Sequence, residues 1–120
     1  MLGSLTDKII ELLFVVPCVL FALTVHEVSH GYMAYRLGDP TARNMGRLTL
    51  NPMKHLDPVG TLCMILFHFG WARPVPINTR YFKKPRRDTA LTAAAGPVSN
   101  FIIAFLGVLV QQILLAIFIR

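Results

Sequence analysis

Residues 89–119 run for 31 positions without a single charged side chain. In hydrocarbon every backbone amide must be bonded within the segment or to a closed neighbour, so a run of this length has one simple solution, a helix. About 20 apolar residues already cross a bilayer core. A second uncharged run, residues 12–25, lies close to the start of the chain. Hydrophobic residues make up 54% of the 120 positions, and they fall in long runs rather than in alternation. That pattern argues for a membrane protein rather than a water-soluble core. At this length one unit, residues 1–120, is the expected organisation. Asp7, Lys8 and Glu11 precede the first apolar run and no small-residue cleavage site follows it, so the N-terminal segment reads as a retained anchor.

The net charge is +6, which raises the question of nucleic acid. The basic residues, however, sit between the apolar stretches, at residues 36–54 and 73–87. Basic loops of that kind face the cytosol and anionic lipid. No nucleic-acid-binding motif accompanies them, so that partner class is excluded. Cys18 and Cys63 both lie in apolar runs and are expected as free thiols, since neither their number nor their spacing describes a disulfide framework.

The first helix is expected from Ser4, where Ser4-Leu5-Thr6-Asp7 resembles a capping box, to Leu37, with Gly38 as its cap and Pro40 as its stop. Residues 46–51 alternate like a short strand. The apolar run at 59–71 is too short for an ordinary span and contains His68, which predicts a buried or re-entrant segment. A true crossing there would also put one of the two basic loops on the wrong side of the membrane. Residues 73–78 are extended, because Pro74 and Pro76 exclude helix and force extension on their predecessors. Pro97 is well placed as the first residue of the last helix, and residues 93–96 are small enough to admit another helix closely. The fold class is therefore all-α and membrane-embedded. Transmembrane helices carry a short re-entrant segment and a small β or extended element at the cytosolic face.

The chemistry lies at His26-Glu27-Val28-Ser29-His30, directly after the uncharged run. Helical spacing i, i+4 puts both imidazoles on one face, where they can share one metal ion. Glu27 beside them is placed to accept a proton from an attacking water. Ionisable groups at membrane depth are costly and mark a functional site. The structural alternatives are imidazoles bonded within a helix bundle, and a Glu27 ion pair with a base such as Arg73. Catalytic zinc takes three protein ligands and leaves one position open. His55, Asp57, His68 and Asp88 are candidates for the third, none with diagnostic spacing. Asp57 is better read as a turn residue, while His55 could serve either role. Asn100 could donate to a substrate carbonyl or serve as interhelical glue. Gln111 and Gln112 suit packing against a further helix, and the run Lys83-Lys84-Pro85-Arg86-Arg87 suits lipid headgroups.

These segments together resemble the site-2 protease family of intramembrane zinc metalloproteases. The likeness rests on His26-Glu27-Val28-Ser29-His30-Gly31, Leu37-Gly38-Asp39-Pro40-Thr41-Ala42 and Gly46-Arg47-Leu48-Thr49-Leu50-Asn51-Pro52. It extends through His55-Leu56-Asp57-Pro58-Val59-Gly60 and Gly70-Trp71-Ala72-Arg73-Pro74-Val75-Pro76 to Ala95-Gly96-Pro97-Val98-Ser99-Asn100. The combination is similar to the compact branch without a PDZ domain. The resemblance implies that His26 and His30 bind zinc, that Glu27 activates the water, and that Asn100 lies near a transmembrane protein or peptide substrate. It also implies a third ligand from an aspartate in a later Asn-Pro…Asp-Gly motif. The chain ends at Arg120 before any such motif, which points to a core cut short. The expected activity is zinc-dependent endopeptidase cleavage in or near the bilayer. The alternative is a catalytically incomplete or non-proteolytic zinc-binding scaffold in the membrane.

Overall fold

The computed structural model describes residues 3–119. Four helices account for most of them: α1 (Leu5–Arg36), α2 (Thr41–Asn44), α3 (Pro58–Phe67) and α4 (Pro85–Phe118). Single 3₁₀ turns at Pro52–Lys54 and Thr79–Tyr81 complete the order. The start of α1 follows directly from sequence. The Ser4 hydroxyl accepts from Asp7 N–H at 3.2 Å and the Asp7 carboxylate accepts from Ser4 N–H at 2.9 Å, so two orphan donors are satisfied reciprocally. At the other end Leu37 caps the helix and Gly38 follows in a positive-φ conformation at 108°.

α1 and α4 run antiparallel, since His30 meets Thr92 while His26 meets Asn100. Both are long and apolar enough to cross a membrane, and their most apolar windows are only 6% and 0% buried. A core helix of a soluble domain would be mostly buried. Here the large side chains, among them Phe14, Phe101 and Phe105, point outward, whereas the buried set is small and strongly polar: Asp39, Arg47, His55, Asp88 and Thr92 beside Ala34, Ala42, Val75 and Phe82. An apolar exterior around a polar interior suits lipid as the surrounding medium.

α4 begins twelve residues before the start expected at Pro97. Pro85 occupies its first turn, with Asp88 in the same turn near the positive end of the helix dipole. Pro97 lies inside the helix instead, where it lacks only the one N–H that would have bonded Ala93. The expected strand at 46–51 is a series of bends. Arg47 N–H is already bonded to Ala42 O at 2.9 Å, and Thr49 O accepts from the His55 ring at 2.7 Å, so these groups are turned inward rather than along a ladder. Among the described residues the β structure is one isolated antiparallel bridge, Leu56 to Ala72. That bridge closes a tight loop around α3. A Cβ at Gly60 would run into the Trp71 backbone, and one at Gly70 would run into Gly60 O, so only glycines allow the first turn of α3 and the returning chain to pass this closely. Met64 of α3, with His68 just beyond it, shares a groove with Val16, Val19 and Leu23 in the middle of α1.

Candidate metal centre

Two turns of α1 bring His26 and His30 side by side, with ring centroids 4.6 Å apart and planes at 81°. Their Nε2 atoms converge over Gly96 of α4. A Cβ built there would fall 2.6 Å from His26 Nε2 and closer still to His30 Nε2, so the missing side chain is the space the nitrogens occupy. Each Nδ1 is engaged by α4 as well. His30 Nδ1 donates to the Thr92 carbonyl at 2.7 Å. A carbonyl only accepts, which puts the proton on Nδ1 and leaves the Nε2 lone pair free. His26 Nδ1 lies 3.0 Å from the Asn100 amide.

Glu27 lines a cleft of about 350 Å3 that it shares with His30, Pro74, Val75, Ile77 and Thr92. Its Oε2 accepts from Val75 N–H at 3.2 Å. That contact is prepared from a distance. Arg47 donates to Arg73 O at 2.8 Å and to Pro74 O at 3.3 Å, which turns the next amide toward the carboxylate. Burial, followed by the neighbouring Arg73, lowers the Arg47 guanidinium below its ordinary value, while the Glu27 carboxylate draws it back up. It remains cationic at neutral pH. Asp39 anchors the far end of the same segment. Wholly buried, it accepts from Asn78 N–H at 2.7 Å and from both the amide and hydroxyl of Thr41.

This arrangement fits zinc in two of its ligand positions. Two imidazoles with convergent Nε2 atoms, and with Nδ1 atoms engaged by α4, are a donor set that a tetrahedral site uses, outer partners included. Among the described residues no three His, Cys, Asp or Glu side chains come together.

The similarities of sequence agree with the motif. The chain is 54% identical over 94 residues to the Bacillus subtilis protein named "Putative zinc metalloprotease YwhC". It is 32% identical over 93 residues to "Putative zinc metalloprotease Rip2" of Mycolicibacterium smegmatis, and 31% to the Rip2 of Mycobacterium tuberculosis. The matches cover 78% and 72% of this chain, but 43% and 35% of the Bacillus and Mycolicibacterium proteins. Most of this chain is thus similar to proteins named as zinc metalloproteases, in line with its likeness to the site-2 protease family. The matched stretch spans less than half the length of each of these relatives, and the chain matches no family model and no solved structure.

The remaining candidate ligands of this chain have other tasks. His55 is buried, bonded through Nε2 to Thr49 O, while its own carbonyl accepts from Arg73 N–H at 2.7 Å. It braces the loop. Asp57 caps α3 by accepting from Val59 and Gly60 N–H at 3.0 and 2.9 Å, the turn role expected of it. His68 closes the same helix in a left-handed conformation and is exposed. Asp88 pairs with Arg87 at 2.8 Å. Glu27 makes no ion pair with Arg73 among the described residues; the nearest donor is an amide. Sequence reasoning did not single out Arg47, Asp39 or Thr92. Arg47 could have been found as a lone charge inside the bend at 46–51. Thr92 acts through its backbone, which no residue type betrays.

Proposed function

We propose that this chain is the zinc-holding core of an intramembrane endopeptidase that cuts transmembrane or membrane-proximal peptide bonds. The observation that carries the reading is the placement of Glu27 and His30 on one cleft, with the converged imidazole nitrogens beside them. His26 and His30 would hold zinc through Nε2, with a third ligand from elsewhere in the protein. When bound, zinc supplies Lewis acidity at the scissile carbonyl and lowers the pKa of water. Glu27 is the acidic side chain on the cleft. It accepts the proton of the attacking water and returns it to the departing amine. Its present bond to Val75 N–H keeps the carboxylate oriented across the cleft.

A transmembrane substrate must unwind locally before it can be cut, because its amides are otherwise bonded internally. The extended segment 73–78 offers a place for the unwound strand. Val75 and Ile77 lie two apart and so present one edge, and Val75 N–H on that edge already faces Glu27. A strand paired through Ile77 would run past the carboxylate. In the membrane, α1 and α4 span, and α3 with its tight return makes a re-entrant hairpin. The basic segments 36–54 and 73–87 then lie together on the cytosolic side. Asn100 would contribute near the substrate from α4.

The test is cleavage of a labelled transmembrane peptide in zinc-supplied liposomes. Glu27→Gln keeps a side-chain oxygen for Val75 N–H but removes the base, so cleavage should fall by about 10²- to 10⁴-fold with thermal stability unchanged. Equal cleavage by the variant overturns the assignment. A second reading, a membrane scaffold that does not cleave, is favoured by the lack of a three-ligand group among the described residues. Zinc stoichiometry of the chain and of His26→Ala, read beside cleavage, separates the two. One zinc per chain, lost in the variant, together with cleavage that needs Glu27 supports the protease core, and the same zinc without cleavage supports the scaffold.

A further inference from the structure

We infer that Asn100 and Thr92 are positioning residues that fix which nitrogen of each histidine carries its proton, an inference that rests on the zinc-site reading above. Thr92, Gly96 and Asn100 follow one another at i, i+4 and i+8 on α4, opposite His30 and His26 at the same spacing on the antiparallel α1. The carbonyl of Thr92 commits His30 to the Nδ1–H form. At His26 the partner is a carboxamide, whose oxygen and nitrogen ends have nearly the same shape and whose orientation is set by its hydrogen bonds. With the NH2 end toward His26 Nδ1, the ring proton is driven to Nε2, where it blocks a metal. That orientation also leaves Asn100 Oδ1 buried without a partner.

Reversing the amide removes the conflict at His26. Oδ1 then accepts from His26 Nδ1–H, and the Nε2 lone pair joins that of His30 over Gly96. The two imidazoles are thereby held in matching tautomers by two acceptors eight residues apart on α4, one from the backbone and one from a side chain. Outer partners of this kind orient the ring and raise its basicity as a ligand. Asn100 thus acts through His26, and its NH2 takes the buried position that has no partner among the described residues.

The test reads the proton directly. The full chain, labelled with ¹⁵N-histidine and solubilised in detergent without metal at alkaline pH, should show His26 and His30 both as Nδ1–H tautomers by ¹⁵N shifts and ring couplings. Asn100→Asp keeps an acceptor and should preserve the His26 form, whereas Asn100→Leu keeps the volume, removes the acceptor and should convert His26 to a mixture. His30 serves as the internal control in both, because its carbonyl partner is unchanged. In zinc competition against a chelator, Asn100→Leu should bind about 10- to 100-fold more weakly than Asn100→Asp. A wild-type His26 found mainly as Nε2–H, or a tautomer indifferent to Asn100→Leu, overturns the inference whether or not the chain cleaves peptides. Matching Nδ1–H tautomers in a chain that cleaves nothing would leave the inference standing and remove the protease reading instead.

Discussion

Replacing Gly96 by alanine adds one methyl group, and the structure says where it must go. The new Cβ would sit 2.6 Å from His26 Nε2 and nearer still to His30 Nε2. Ordinary contact begins near 3.4 Å, so the His26 ring must recede by about 0.8 Å and the His30 ring by more, or the helices must part. Each ring is pinned from behind by its bond to α4, at 3.0 Å for His26 and 2.7 Å for His30. Overpacking of this kind costs about 1–3 kcal/mol, against which alanine's better helix propensity returns about 0.5–1 kcal/mol. The net loss of stability should therefore be modest, about 1–2 kcal/mol. Zinc is affected far more, because ligand distances tolerate only about 0.2 Å. Gly96→Ala should weaken zinc binding by at least about 10- to 100-fold in chelator competition, the scale of losing an orienting partner. Thermal unfolding in detergent should show the protein still folded. Ala95→Gly, one position around the helix, serves as the control for helix propensity alone. Zinc affinity of Gly96→Ala within threefold of wild type would refute the claim that the two nitrogens converge over this residue.

Two further substitutions probe what surrounds the site. Arg47→Met removes the guanidinium that holds the Arg73 and Pro74 carbonyls and leaves those acceptors unpaired. Unfolding should be easier by about 2–3 kcal/mol, and hydrogen exchange at Val75 should quicken because its amide no longer faces Glu27; unchanged exchange would show that Arg47 does not place that amide. Asp57→Ala deletes the cap of α3 and should cost about 1 kcal/mol with zinc binding unaltered. A loss of zinc in that variant would return Asp57 to the list of ligands.

The parts legible in sequence are those whose physics is local. The capping box at Ser4 and Asp7, the cap at Asp57, the two apolar helices and the shared face of His26 and His30 each depend on residues within four positions of one another. What sequence misjudged is non-local or degenerate. Pro85 and Pro97 are equally good first-turn residues, and only the packing of 85–96 against α1 decides that the helix starts at the earlier one. Residues 46–51 alternate as a strand would, yet a strand needs a partner edge, and the inward bonds of Arg47, Thr49 and His55 bind that stretch into a loop instead. The misplaced start of α4 had a consequence for the site itself. Begun at Pro97, the last helix carries Asn100 alone in its first turn, a residue open to either a substrate or a helix neighbour. Begun at Pro85, it carries Thr92, Gly96 and Asn100 as one stripe with the same four-residue step as His26 and His30. Gly96 lies under both imidazoles, and Thr92 and Asn100 engage them from either side. The histidine pair and its supporting face are thus a single register, which requires a small residue at the middle position and an acceptor at each end.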